Sequence, residues 1–328
     1  MSKADVYEKL FRYHTLEEYL DFCAFNQLHG RQYKPFNCAL IMAQRPGAAF
    51  VQTERAWNRA GFTLKPEAAP IVIMQVSGPV TLVYDREDVY SSAEQLSFPE
   101  IDFMDETRFV DEHLLTHWYL QANKSGIRVA ESHMGERLYG TAQPLANPFI
   151  LSYTEIVRGK PQTRKVEAFH QVTLNSNLNT HEKALTLLHE LGHLYCGHIR
   201  GKRNKTNSLP AYRFEEADRE RDSICSELSE IEQEMAAIGK AQASERYRQL
   251  ETRRDELEQA RREHMQQRED QQEYEAQLVC KLLCERNQFT DHESDDYLKQ
   301  HSPGGELPEI SLLSVLDAVE RIAGILDI

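Results

Sequence analysis

Apolar positions along this chain recur with two clear periods. Between Val166 and Leu174 the run Val-Glu-Ala-Phe-His-Gln-Val-Thr-Leu alternates apolar with polar residues, which predicts a half-buried strand. Leu185, Leu188, Leu191 and Leu194 then recur at steps of three, giving a helix with an apolar body. Asn179 followed by Glu182 predicts its N-terminus, because the two side chains can satisfy each other's backbone N–H groups. Further on, Ile224, Leu228, Ile231, Met235 and Ile238 recur at alternating steps of four and three, the seam of a coiled coil. Gly239 to Ser244 reads as a turn, with Ser244 capping a returning helix. Tyr247, Leu250, Leu257 and Ala260 continue the stripe there, with Arg254 and Arg261 as interruptions. The expectation is an antiparallel helical hairpin with arms of roughly 25–30 residues, about 40 Å long. The alternative is one long helix that dimerises. Ile310 to Ile328, broken by Asp317, Glu320, Arg321 and Asp327, predicts a surface-facing amphipathic helix. No run approaches the roughly 18 apolar residues of a membrane span.

Composition bounds the classes. The chain has 328 residues, of which 41% are hydrophobic, enough for a packed core. That length suits two domains, or one with an embellishment. The charged N-terminal stretch has no apolar signal-peptide core, and six cysteines without a CxxC pair suit a reduced, cytoplasmic protein. A net charge of −14 excludes a protein that coats nucleic acid over its whole surface. The charge is unevenly placed. Residues 213–273 hold 11 Lys+Arg against 18 Asp+Glu and are depleted in Gly and Pro, so the hairpin is a solvated arm. Residues 67–106 are also acidic, with Arg86 alone against 9 acids. Residues 1–66 have the opposite sign, with 9 Lys+Arg against 6 Asp+Glu.

The candidate chemistry sits on the Leu-rich helix. His189-Glu190-Leu-Gly-His193 is an HExxH pattern. Residues four apart on a helix differ by about 40° of rotation, so His189 and His193 can meet one metal ion. Glu190, one step round, can serve as general base towards a water activated by that ion. Gly192 occupies a place where a bulky side chain could crowd the site. Zinc needs a third protein ligand. Cys196 and Ile199 stand where a metzincin would have Gly and His, so an acid on a later helix is required. Glu275 is the preferred candidate, because a carboxylate on an apolar helix face needs a compensating partner. Glu216 and Glu273 are the alternatives. His198 is rotated by about 140° from His193, off the ligand face; it is a candidate for the layer behind the metal or for transition-state contact, with a packed histidine at the helix end as the alternative. Tyr195 and Tyr212 are proximity candidates for that layer or for oxyanion contact.

These motifs resemble those of the ImmA/IrrE family of zinc metallopeptidases. The resemblance rests on His189-Glu-Leu-Gly-His193-x4-His198 and on Glu275-Ala276-x-x-Val-Cys, and covers residues 107–212 and 274–328. It implies an HExxH metallo-endopeptidase, a hydrolase with Zn²⁺ held by His189, His193 and Glu275. A second resemblance, to the N-terminal domain of ArdC-type antirestriction proteins, covers about residues 5–104. It rests on Tyr33-Lys-Pro-Phe-Asn37, Gln44-Arg-Pro46-Gly, Trp57-Asn-Arg-Ala-Gly61 and Pro70-Ile-Val-Ile. That domain is associated with single-stranded DNA binding. Arg45, Arg55, Arg59 and Lys65 beside Trp57 are the residues such binding would use, with an aromatic ring next to a basic groove.

The expected fold is therefore α+β, in four segments. Residues 1–106 form an ArdC-like α+β domain, and 107–212 and 274–328 the two parts of a zincin-like domain. Residues 213–273 form the inserted coiled-coil hairpin. The expected function is limited, regulatory cleavage of a protein partner, engaged by the arm, in a phage-defence or mobile-element setting. The alternative is a single-stranded-DNA-binding antirestriction-type protein whose zincin domain is structural or regulatory.

Overall fold

The computed structural model describes residues 21–22, 25–26, 29, 32–75, 80–91, 108–157, 159–202, 209–238, 245–291, 294–301 and 308–328, which form a mixed α+β architecture. The first part contains α1 (Pro35–Gln44), β1 (Val51–Gln52), α2 (Glu54–Arg59), β2 (Phe62–Leu64), β3 (Ile71–Ile73), β4 (Thr81–Asp85) and β5 (Val89–Ser91). Its strands make two small antiparallel sheets, ordered β1-β4-β3 and β2-β5. Pro35 opens α1, where its missing N–H has no helical partner to lose. Thr53 caps α2 by accepting the Ala56 N–H. Ile41, Val51, Ile71 and Val83 fill one apolar cluster, and Trp57, Phe62 and Val89 another.

The second part begins with α3 (Glu112–Lys124), β6 (Ile127–Ser132), β7 (Gly140–Val157) and β8 (Lys160–Asn175). The alternation of Val166 to Leu174 does form a strand, but β8 is the centre of the sheet and not its edge. The order is β6-β8-β7, with β6 parallel to β8 and β7 antiparallel to it. Ala168, His170, Val172 and Leu174 are buried, as period two requires. The edge strand beside the motif helix is β7.

That helix, α4 (Thr180–Tyr195), starts at the expected capping box: Asn179 Oδ1 accepts the Glu182 N–H while Glu182 Oε2 accepts the Asn179 N–H. Its leucines join one core with α6 (Glu245–Asn287) and α8 (Leu312–Leu326). The amphipathic C-terminal segment is α8, whose buried stripe runs through Leu312, Val315, Leu316, Val319, Ile322 and Leu326. Gly192 has a packing role: a Cβ there would stand 3.0 Å from Ala276 O and 3.1 Å from Ala276 Cα. The glycine lets α4 approach the backbone of α6 closely, which brings residues of both helices into one pocket.

Between them the chain runs out along α5 (Glu215–Ile238) and back along α6. Leu228, Ile231 and Met235 pack against Leu250 and Leu257 in a cluster separate from the main core. Arg246 pairs with Glu234 at 2.8 Å and Arg253 with Glu227 at 2.9 Å, so the two helices run in opposite directions. The expected turn at 239–244 lies outside the described residues. After its charged first part, α6 continues unbroken into the core, where Tyr274 to Cys284 supply most of its buried side chains. A short helix, α7 (Ser294–Gln300), follows. No described helix is long and apolar enough to cross a membrane.

Candidate metal centre

The close contact of α4 with α6 assembles His189 and His193 with Glu273. Their Nε2 atoms are 3.1 Å apart, and Glu273 lies 3.2 Å from His189 Nε2 and 3.5 Å from His193 Nε2. Ligands at zinc–nitrogen bond length around a tetrahedral ion stand about 3.3 Å apart, so this triangle matches one face of such a site. The donor set, two imidazoles and a carboxylate, also suits zinc.

The hydrogen bonds behind the triangle decide what it presents. Gln277, one turn after Glu273 on α6, places Oε1 2.8 Å from His189 Nδ1. Its Nε2 donates to Ser294 Oγ, which orients the amide. His189 Nδ1–H therefore donates to Gln277, leaving its Nε2 lone pair directed at the triangle. His193 Nδ1 is 2.9 Å from His198 Nδ1, and His198 Nε2 is 2.9 Å from Glu275 Oε2. The sixteen residues of α4 thus supply two corners of the triangle, and the turn after it supplies a buried partner for the second.

Electrostatics follow this arrangement. Burial works against charge on both imidazoles. At His189 the hydrogen bond to Glu273, with the Glu190 and Glu273 charges, outweighs burial and raises the pKa. At His193 burial dominates, helped by the other two histidines, and pushes the pKa down to about 4. Burial would raise Glu273, but hydrogen bonds from both histidines hold it far below the usual carboxylate range. Without an ion the triangle therefore holds a proton, shared between His189 and the ionised Glu273, and a cation that binds there must displace it.

Glu190 lies on the β7 side of α4, where burial pushes its pKa up to about 7 and the Ala142 N–H hydrogen-bonds it. Gly140 keeps β7 close to it: a Cβ there would stand 2.6 Å from Thr186 Cγ2 and 3.2 Å from Glu190 Oε1. The opposite rim carries Tyr297 of α7, whose hydroxyl donates to Glu273 Oε2 at 2.7 Å. Its ring stands edge-on to His189.

The other predicted positions divide. Glu275 does not face the triangle; it is wholly buried in the neighbouring group with Cys196 and His198. The partner its buried carboxylate needs is Arg213, whose Nη1 and Nη2 reach Glu275 at 2.6 and 3.1 Å. Glu273 and Glu275 are two residues apart, about 200° round the helix, so only one of them can face α4's histidines. Glu216 is exposed on α5 and belongs to neither group. His198 stands behind His193, with the two Nδ1 atoms 2.9 Å apart. Tyr195 is buried in the main core, and Tyr212 donates to Asp218 at the root of the arm, so neither tyrosine joins the triangle. Arg200 pairs with that same Asp218. Gln277 and Tyr297 were not foreseen. The i,i+4 spacing of Gln277 from Glu273 was the available signal.

The residues expected to bind a single strand have different surroundings. Trp57 is 1% exposed, packs edge-on against Phe50 and Phe62, and donates Nε1–H to Tyr84 O, so it is a core residue with no face for a base. Arg45 is engaged by Asp88 and by Ala69 O, and Lys65 donates to Glu87 O. Arg55 and Arg59 are exposed on α2.

No protein-family profile matches the chain, and no curated protein does. Among solved structures, it is similar to a metal-free crystal structure of the antirestriction ArdC protein from plasmid R388. The two share 11% sequence identity over 90% of this chain and 83% of that one, with a TM-score of 0.32. A likeness that distant carries no argument about this chain.

Proposed function

We propose that this chain is a zinc-dependent metallo-endopeptidase in which His189, His193 and Glu273 hold the metal and Glu190 is the general base. The observation that carries the reading is the convergence of two imidazole lone pairs and an ionised carboxylate, with Glu190 beside them on the same helix. Bound zinc would supply Lewis acidity, lowering the pKa of a water towards ~7 and polarising a carbonyl. The remaining work falls to the protein. Glu190, held near neutrality by burial, takes the proton of the attacking water and returns it to the leaving amine. Tyr297 keeps the Glu273 carboxylate in place and brings a phenolic O–H to the rim. Among the described residues β7 pairs only with β8, so its other edge offers N–H and C=O groups to an extended peptide. A large protein substrate would be engaged by the arm of α5 and α6, read as an inserted antiparallel coiled coil, for limited cleavage of a regulatory partner.

The decisive experiment is Glu190→Gln in the purified full chain, assayed against casein and unfolded peptides with metal content measured by mass. We expect zinc retained and hydrolysis down by about 10²–10⁴-fold. Undiminished hydrolysis in that variant overturns the mechanism. Binding of single-stranded DNA by a chain that cleaves nothing would favour the antirestriction-type reading instead.

A further inference from the structure

Behind the metal pocket lies a closed chain of hydrogen bonds that reaches His193 from the root of the arm. Glu275 receives Arg213 on both oxygens, at 2.6 and 3.1 Å, and the Ser311 N–H on Oε1 at 2.7 Å. With its side chain 0% exposed and ringed by these donors, it can act only as an acceptor. His198 Nε2, 2.9 Å from Glu275 Oε2, must then carry a proton. In a neutral imidazole the other nitrogen is the acceptor, so His198 Nδ1 can only accept. The nitrogen facing it at 2.9 Å, His193 Nδ1, must be the donor. Each proton is set by the one before, and the last step leaves His193 Nε2 bare, 3.1 Å from His189 Nε2.

We propose that Arg213, Glu275 and His198 form a positioning relay that selects the metal-binding tautomer of His193 and holds its ring. The inference rests on the metal centre proposed above and extends it to three residues that do not touch the ion. The relay departs from a simple carboxylate–histidine–metal arrangement in having a second imidazole inserted between carboxylate and ligand. It also has a mechanical consequence. Arg213 lies just before α5 and Glu275 lies on α6, so the ion pair that orients His198 also ties the two roots of the arm together. Asp218 makes a second tie there, accepting from Tyr212 and Arg268. Cys196 packs against this group, but burial raises its thiol pKa well above the ordinary value and Glu275 is already saturated. The Cys196–His198–Glu275 group is therefore a support and not a second metal site.

The test measures zinc affinity by chelator competition in the full-length protein, for wild type, Glu275→Gln, His198→Phe and the double variant. Circular dichroism establishes that each is folded. A relay predicts that each single change weakens zinc binding by about 10–100-fold and that the double is no weaker than the worse single. A folded Glu275→Gln protein that binds zinc as wild type does overturns the proposal, and so does a double variant whose losses multiply. Should the variants fail to fold, long-range ¹H–¹⁵N correlations on metal-stripped wild-type protein report the tautomers directly. We expect His193 protonated on Nδ1 and His198 on Nε2; the opposite pair overturns the relay. Wild-type protein that shows these tautomers yet binds no zinc would remove the metal centre and leave the hydrogen-bond chain standing.

Discussion

Two carboxylates on α6, Glu273 and Glu275, stand two residues apart and serve two different neighbourhoods. Glu275 is the more buried, and its acceptor sites are filled by Arg213, His198 and the Ser311 amide. Glu273 is less buried and shares its space with two imidazoles whose Nδ1 protons are directed elsewhere. Burial alone therefore points to the acid that does not face His189 and His193. What identifies a ligand is an acceptor facing other acceptors, because three such groups repel one another unless a cation stands among them. The same contrast separates the metal pocket from the first 91 residues. There, among the described residues, Trp57 is buried and Arg45 and Lys65 have protein partners, so part of the grouping suggested by the sequence goes into core and turn contacts.

The sharpest way to break the first comparison is to remove one acid at a time. Glu273→Ala should lose stoichiometric zinc, measured by mass, whereas Glu216→Ala should keep it; zinc retained without Glu273 would return the ligand assignment to Glu275. The second comparison is tested at Trp57. Trp57→Ala should cost about 3–5 kcal/mol in chemical denaturation, as a core truncation does. A stable Trp57→Ala protein that has lost single-strand binding would instead restore the stacking role.

A smaller effect is expected in the pH dependence of metal-stripped protein. The Glu190 pKa is raised from 4.5 to about 7, chiefly by burial. Its neutral form is favoured in the folded state, so its contribution is fully present below pH 4.5 and is lost as pH rises through 7. Wild type should lose roughly 2–3 kcal/mol relative to Glu190→Gln across that window, read from paired denaturation curves. Parallel curves would mean that the carboxyl is not desolvated. Least costly is Gly192→Val, which overpacks α4 against the Ala276 backbone and should lower stability by about 1–3 kcal/mol. Weakened zinc binding in that variant would show that helix spacing holds Glu273 in reach.

Much of the architecture was legible because it is encoded locally. The capping box at Asn179 and Glu182, the leucine body of α4 and the heptad stripe of α5 depend on residues within a turn or two of one another. The HExxH pair is local for the same reason, since helix geometry alone brings His189 and His193 together. The strand at 166–174 was also legible, but its place was not. Alternation reports that one face is buried and says nothing of how many neighbours the strand has, so it could not place β8 at the centre of the sheet. Trp57 failed in a related way, because an aromatic beside arginines looks the same in sequence whether its ring faces solvent or core.

By itself, then, the sequence determined the helix that carries the histidines, their spacing, the place of Glu190 beside them and the acidic pair of arm helices. Only the tertiary structure decided which carboxylate stands beside the two histidines. Glu273 and Glu275 lie some eighty residues from the histidines in the chain, and their choice depends on the rotation of α6 about its own axis. That rotation is set by Ala276 lying against Gly192 and by the partner Arg213 supplies to Glu275. Both are contacts between distant segments, formed only when the close approach of two helices has fixed which side of each faces the other.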